Sequence, residues 1–131
     1  MTDERQLYLA KAQESLASAY ADLEAGRYNS VANRAYYAVF QAAVAMLIAT
    51  EIRPRRASWE HKFVMSEFSG KLVSRRKVVP ARFRRTLADL LDMRLVADYR
   101  ARNVTATEAR KAAGDSSALV SYVASQLQED E

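Results

Sequence analysis

Ala35-Tyr36-Tyr37-Ala38-Val39-Phe40-Gln41-Ala42-Ala43-Val44-Ala45-Met46-Leu47-Ile48-Ala49 decides the fold: fifteen residues, apolar apart from Gln41. Extended to about Ser30–Thr50, the segment sets Val31, Ala35, Ala38, Ala42, Ala45 and Ala49 on one helical stripe. Tyr36, Val39, Phe40, Ala43, Met46 and Leu47 fall elsewhere around the cylinder, and a helix apolar nearly all round is a buried one. A membrane span wants about twenty apolar residues, so the run reads as the core helix of a bundle. The opening Met1-Thr2-Asp3-Glu4-Arg5 is polar and has no signal-peptide core. Together these give the expectation of a cytoplasmic protein with no membrane association.

The rest of the chain supplies partners for that helix. Leu9, Ala12, Leu16, Ala19 and Leu23 make a 3-4-3-4 stripe over Asp3–Glu24, and Gly26 follows where a left-handed cap is usual. The short connection makes the first two helices an antiparallel hairpin. Glu51–Trp59, with Arg53-Pro54-Arg55-Arg56, breaks the period and reads as a loop. A shorter helix over about Glu60–Leu72 then presents Phe63, Val64, Phe68 and Leu72. Pro80 is placed to open a further helix reaching about Ala101, with Phe83, Leu87, Leu90, Arg94, Ala97 and Ala101 aligned. Thr105-Ala106-Thr107-Glu108 fits a capping box ahead of a last helix carrying Ala109, Ala113, Ser116, Val120, Val123 and Leu127. Gly114 lies within it, and the acidic Glu129-Asp130-Glu131 end reads as frayed. The fold class is therefore all-α, an antiparallel bundle of four long helices plus a short one, in a single domain over residues 1–131. With three Gly and two Pro in 131 residues, the composition suits helices.

Residues 53–102 hold fourteen Lys/Arg against five Asp/Glu, whereas the rest of the chain holds six against eleven. Such asymmetry suggests a basic face for an anionic partner, or else a solvated surface. The absence of Cys excludes disulfides, thiolate catalysis and Cys-ligated metal. There is no Gly-rich phosphate loop, nucleophile elbow or metal-ligand motif, so no cofactor or metal is expected. A helix-turn-helix DNA reader would want shorter helices. Arg94 is the anomaly, an arginine on a core-facing stripe with Asp98 one turn beyond. It reads either as a structural ion pair or as a guanidinium at a cleft mouth, ready for phosphate. Arg34 and Tyr37 share a face of the central helix, as core packing or a base-stacking surface. The lone histidine, His61, reads by itself as a packing or helix-start residue.

Asn33-Arg34-Ala35-Tyr36-Tyr37-Ala38-Val39-Phe40, His61-Lys62-Phe63-Val64 with Phe68, and Arg94-Leu95-Val96-Ala97-Asp98-Tyr99, in this order and separation, resemble the HEPN family of small helical-bundle proteins. The likeness runs from about Leu7 to Leu127. It implies a homodimer, often acting beside a minimal nucleotidyltransferase as a toxin–antitoxin pair. Ribonuclease relatives use an Arg followed, after four to six residues, by a His across the dimer cleft. Arg94 matches that Arg, but Tyr99, Arg100 and Ala101 occupy the positions where the His would fall. The resemblance therefore points first to an RNA- or nucleotide-binding module with a degenerate ribonuclease motif, its cleft formed by Arg94, Asp98 and Tyr99 with His61, Arg34 and Tyr37 close by. The alternatives are a metal-independent ribonuclease toxin using Arg94 with Tyr99 or His61, and a non-enzymatic partner subunit of a nucleotidyltransferase.

Overall fold

A computed structural model describes residues 3–129; Met1, Thr2, Asp130 and Glu131 lie outside the described residues, and with them most of the acidic tail. Helix α1 spans Glu4–Glu24, α2 Tyr28–Ala49, α3 His61–Met65, α4 Thr86–Tyr99 and α5 Ala106–Glu129. α1 opens with Asp3 accepting from the Arg5 backbone N–H at 3.0 Å, which satisfies one of the free donors at the helix start. It closes at Gly26, whose φ of 76° lets the chain turn back so that the Arg27 N–H reaches the Asp22 carbonyl.

α2 is the centre of the bundle and packs against α1, α4 and α5. Val31, Ala32, Ala35, Tyr36, Ala38, Val39 and the run from Ala42 to Ala45 are all fully buried. The alanines let neighbouring backbones approach, while Val39, Val44 and Leu47 supply the apolar area, each worth about 1.5–3 kcal/mol when removed from water. Length and mean hydropathy (1.2) would also suit α2 to a membrane, but 67% of that apolar window is buried inside the bundle. Gln41, the polar interruption, sits against α1. With its amide nitrogen turned inward it donates to the Lys11 carbonyl at 3.0 Å and to Ser15 Oγ at 2.7 Å. On the opposite side, buried Ser116 of α5 donates to the Ala35 carbonyl at 3.0 Å. These polar contacts fix how α1 and α5 register on α2.

Two expectations change. The third helix runs beyond Leu72, continuing from α3 as a π-helical segment over Ser66–Arg75. Val64, Phe68 and Leu72, all fully buried, lie four apart, wider than the 3.6-residue α period. Pro80 does not open α4. Its ψ of 146° is outside the helical basin, so the chain makes a 3₁₀ turn over Ala81–Phe83 that buries Phe83 beside Tyr122, and α4 begins at Thr86. The capping box stands as expected: Glu108 N–H donates to Thr105 Oγ1 at 3.1 Å, and Thr105 N–H to Glu108 Oε1 at 3.0 Å.

Because Ala38 is fully buried, Ala38→Leu must displace neighbours on α2. It should cost about 1–3 kcal/mol. Chemical denaturation that gives an unchanged midpoint would contradict this packing.

Candidate functional site

Three elements converge on one face of α2: the start of α3, which carries His61, the last two turns of α4, which carry Arg94 and Asp98, and α2 itself, with Asn33, Arg34, Tyr36, Tyr37 and Phe40. Five of the six residues expected at the cleft therefore come together. The sixth, Tyr99, ends α4 and is 69% exposed.

Tyr36 is the anchor. It is fully buried, and its ring lies 5.4 Å from His61 in a stacked arrangement, with planes 10° apart. The Tyr36 hydroxyl meets His61 Nδ1 at 2.5 Å. Which group donates follows from what each would otherwise leave unsatisfied. The phenol proton has no other acceptor among the described residues, and a buried unpaired donor costs about 1–3 kcal/mol. Tyr36 therefore donates to Nδ1, and the neutral imidazole carries its proton on Nε2. Burial, offset by Arg94 and reinforced by Tyr37, pushes the Tyr36 phenol up to about 12, so it remains a donor through the physiological range. Burial first, and then the Arg94 guanidinium, hold His61 below its ordinary 6.5. Phe40 closes the ring cluster, 4.6 Å from the imidazole.

Arg94 lies over both tyrosines, its guanidinium carbon 5.7 Å from the Tyr36 ring and 5.1 Å from the Tyr37 ring. Arg34 approaches the same Tyr37 ring at 5.2 Å. Asp98 Oδ2 is 3.3 Å from Arg94 Nε, with the two side chains 28% and 18% exposed. The contact is an ion pair by distance but not a hydrogen bond, because the buried Nε–H finds no aligned acceptor. Asn33 links the two halves: it donates to Asp98 Oδ2 at 3.3 Å and accepts from Arg34 at 2.7 and 3.1 Å. No hydrogen bond among the described residues engages the terminal nitrogens of Arg94. A recess of about 270 Å³ adjoins this network, lined by Asp22, Asn29, Ser30, Asn33, Arg34 and Asp98. No group of three or more His, Asp or Glu among the described residues is placed to hold a metal ion.

Two contributors lie outside the six residues expected at the cleft. Tyr36 looked like core, which it is, yet its hydroxyl orients the histidine. Asn33 is the polar bridge, and its place one residue before Arg34 and one helical turn before Tyr37 was the available signal.

A helical bundle whose central helix, short third helix and fourth helix meet at an arginine-centred polar site defines the class. The family model for the HEPN domain matches residues 6–127. The chain belongs to the HEPN domain family. No curated protein shows significant similarity to it.

With one histidine in the chain, its titration can be read without ambiguity. The imidazole should titrate below 6.5, and Arg94→Gln should move it upward by removing one of the two causes. The unfolded chain takes up this proton more readily than the folded one, so stability is full above 6.5 and declines as pH falls toward the folded value. An NMR titration showing His61 at its ordinary value, unmoved by Arg94→Gln, would remove the guanidinium from its neighbourhood.

Proposed function

We propose that this HEPN-type module binds the phosphates of RNA or of a nucleotide at the Arg94 cleft, without efficient catalysis. One observation carries the reading: Arg94 and Arg34 approach a single aromatic ring at 5.1 and 5.2 Å, while the carboxylate beside them, Asp98, pairs with Arg94 and reaches Arg34 only through Asn33. Like charges so placed favour a bridging anion, and a guanidinium with free terminal nitrogens meets phosphate in a two-pronged geometry. The Tyr37 ring holds the two guanidinium groups beside one another. His61, its Nδ1 occupied by Tyr36, presents an N–H and so serves as a neutral donor to the bound anion rather than as a base. Metal-free RNA cleavage needs a group that takes a proton near neutral pH, and this tautomer does not offer one on the open side.

The second reading is a metal-independent ribonuclease in which Arg94 works with His61. The placement of the imidazole within electrostatic reach of the guanidinium favours it. Tyr99, exposed at the end of α4, stands where ribonuclease relatives keep their histidine, and serves there as a hydroxyl donor or stacking group.

We propose further that the active form is a symmetric homodimer built on α4. Only Leu87 and Leu90 of this helix are buried in the single chain, whereas Leu91, Met93, Leu95, Val96 and Ala97 are partly open. Two-fold pairing through the second half of α4 brings two Arg94 cations to one cleft and doubles its positive potential. In this reading the module works in the cytoplasm beside a nucleotidyltransferase, in a toxin–antitoxin pair, and α2 is committed to the bundle rather than to a membrane. A short nucleotidyltransferase gene next to this one would support the pairing.

Arg94→Ala should weaken RNA or nucleotide binding at least tenfold, about 1.4 kcal/mol, while circular dichroism stays native. Wild-type binding should weaken steeply with salt as counterions are released. Mixed RNA incubated with EDTA should stay intact. Cleavage that disappears in Arg94→Ala and His61→Ala would select the ribonuclease reading. Loss of the fold in Arg94→Ala, with no nucleic acid bound by the wild type at any salt, would reduce the site to an internal ion pair. Light scattering at micromolar concentration should give twice 14.7 kDa; a monomer alone would contradict the dimer.

A further inference from the structure

The end of the bundle away from this site carries a different kind of surface. From Lys71 to Arg85 the chain holds seven cations and no acidic residue. His61 opens the α3–π segment and Arg75 closes it, so the two surfaces lie at its opposite ends. Along α4, Arg85 is nine residues before Arg94, or about 14 Å of helix axis.

Arg75, Arg76, Lys77, Arg82, Arg84 and Arg85 are all exposed. Only Arg85 meets a carboxylate among the described residues, Asp89 at 3.3 Å. Arg84 instead donates to Ser74 Oγ at 3.3 Å, which joins the two basic stretches into one surface. The loop is also held in place. The Arg76 N–H reaches the Lys71 carbonyl at 2.8 Å, the Val78 and Val79 N–H groups share the Leu72 carbonyl at 2.9 and 3.1 Å, and the Tyr122 hydroxyl donates to the Val78 carbonyl at 3.3 Å. At its tip Lys77 has a φ of 55°, a left-handed conformation that glycine or asparagine adopts more cheaply. Lys77 thus sets a cation at the tip of a braced backbone, between Arg75 and Arg76 on one side and Arg82, Arg84 and Arg85 on the other.

We infer that this loop is a second phosphate-binding surface, which makes the ligand of the module a polynucleotide strand rather than a mononucleotide. The inference rests on the proposed reading of the Arg94 cleft and extends it. The cleft takes one end of the bound segment, and the loop holds backbone phosphates several nucleotides away. A mononucleotide fills the cleft and leaves the loop empty, whereas a longer strand engages both. The same cations would also attract an acidic protein segment, and the test separates that case.

The experiment compares a mononucleotide with a single-stranded RNA of about ten nucleotides, and includes polyglutamate as a protein-like polyanion. The loop variant is Arg75→Gln, Arg76→Gln and Lys77→Asn, in which asparagine keeps the left-handed tip. Removing three phosphate contacts should lower the salt slope for the longer RNA by about two. Between about 50 and 200 mM salt, the wild type should therefore lose about twentyfold more affinity than the variant. Mononucleotide binding should be unchanged in the loop variant and should fall in Arg94→Ala. Should the loop variant misfold, Arg82→Gln with Arg85→Gln tests the same surface from its other side. Equal affinity and slope in wild type and variant would overturn the second surface and leave the cleft reading standing. An effect of the loop variant with none from Arg94→Ala would overturn the cleft reading and spare the loop. Polyglutamate binding as tightly as RNA at equal salt would overturn the polynucleotide assignment.

Discussion

A buried phenol must give its proton to something, and in this molecule that requirement organises the site. Tyr36 is enclosed in the centre of α2, where leaving its hydroxyl unpaired would cost about as much as burying another aliphatic side chain gains. The first residue of α3 answers it. Once His61 is drawn down onto Tyr36, the entry of α3 is fixed against α2, and Phe63, Val64 and Phe68 follow into the core behind it. Arg94 then covers the same pair of tyrosines from α4. Three helices are thereby tied at one point by a hydrogen bond, a ring stack and two cation–aromatic contacts, while the remaining length of each is held by ordinary apolar packing.

That arrangement also explains why the site is electrically unbalanced. Asp98 reaches Arg94 from one turn along α4, but off the axis of the Nε–H bond, and it reaches Arg34 only through Asn33. Burial, and then the Arg94 guanidinium, hold the imidazole below its ordinary 6.5, which favours its uncharged form. What remains is a guanidinium whose terminal nitrogens have no hydrogen-bond partner among the described residues, beside the His61 imidazole and the Tyr37 ring. The proposed anion binding rests on these features. In the proposed reading, Tyr99 stands where the resemblance to ribonuclease members would place a histidine, so the group that would move protons is absent there.

Much of the fold was legible because it rests on short-range rules. The α1 stripe, the Gly26 turn, the all-round apolar α2 and the Thr105–Glu108 box are each set by residues within a few turns of one another. The start of α4 and the π-helical segment were not legible, for a common reason. Pro80 is acceptable both as the first helical residue and ahead of a tight turn, and the choice came from burying Phe83 against Tyr122, thirty-nine positions further along the chain. The four-residue spacing of Val64, Phe68 and Leu72 is compatible with an α-helix, and nothing local announces the wider winding. At the site, Arg94 stood out as a charge on an apolar stripe and Arg34 with Tyr37 as neighbours on a helix face. Tyr36 did not stand out, because a buried tyrosine is ordinary until the partner of its hydroxyl is known.

The site turns on the state of one imidazole and on what touches it. Nitrogen-resolved NMR of His61 reads both at once, through the shifts of its two ring nitrogens before and after a short RNA is added at low salt. The prediction is a neutral ring protonated on Nε2 with Nδ1 as acceptor, and, on adding RNA, a shift concentrated at Nε2–H that is lost in Arg94→Ala. A ring protonated on Nδ1, or ring signals that no amount of RNA perturbs, would contradict the central claim.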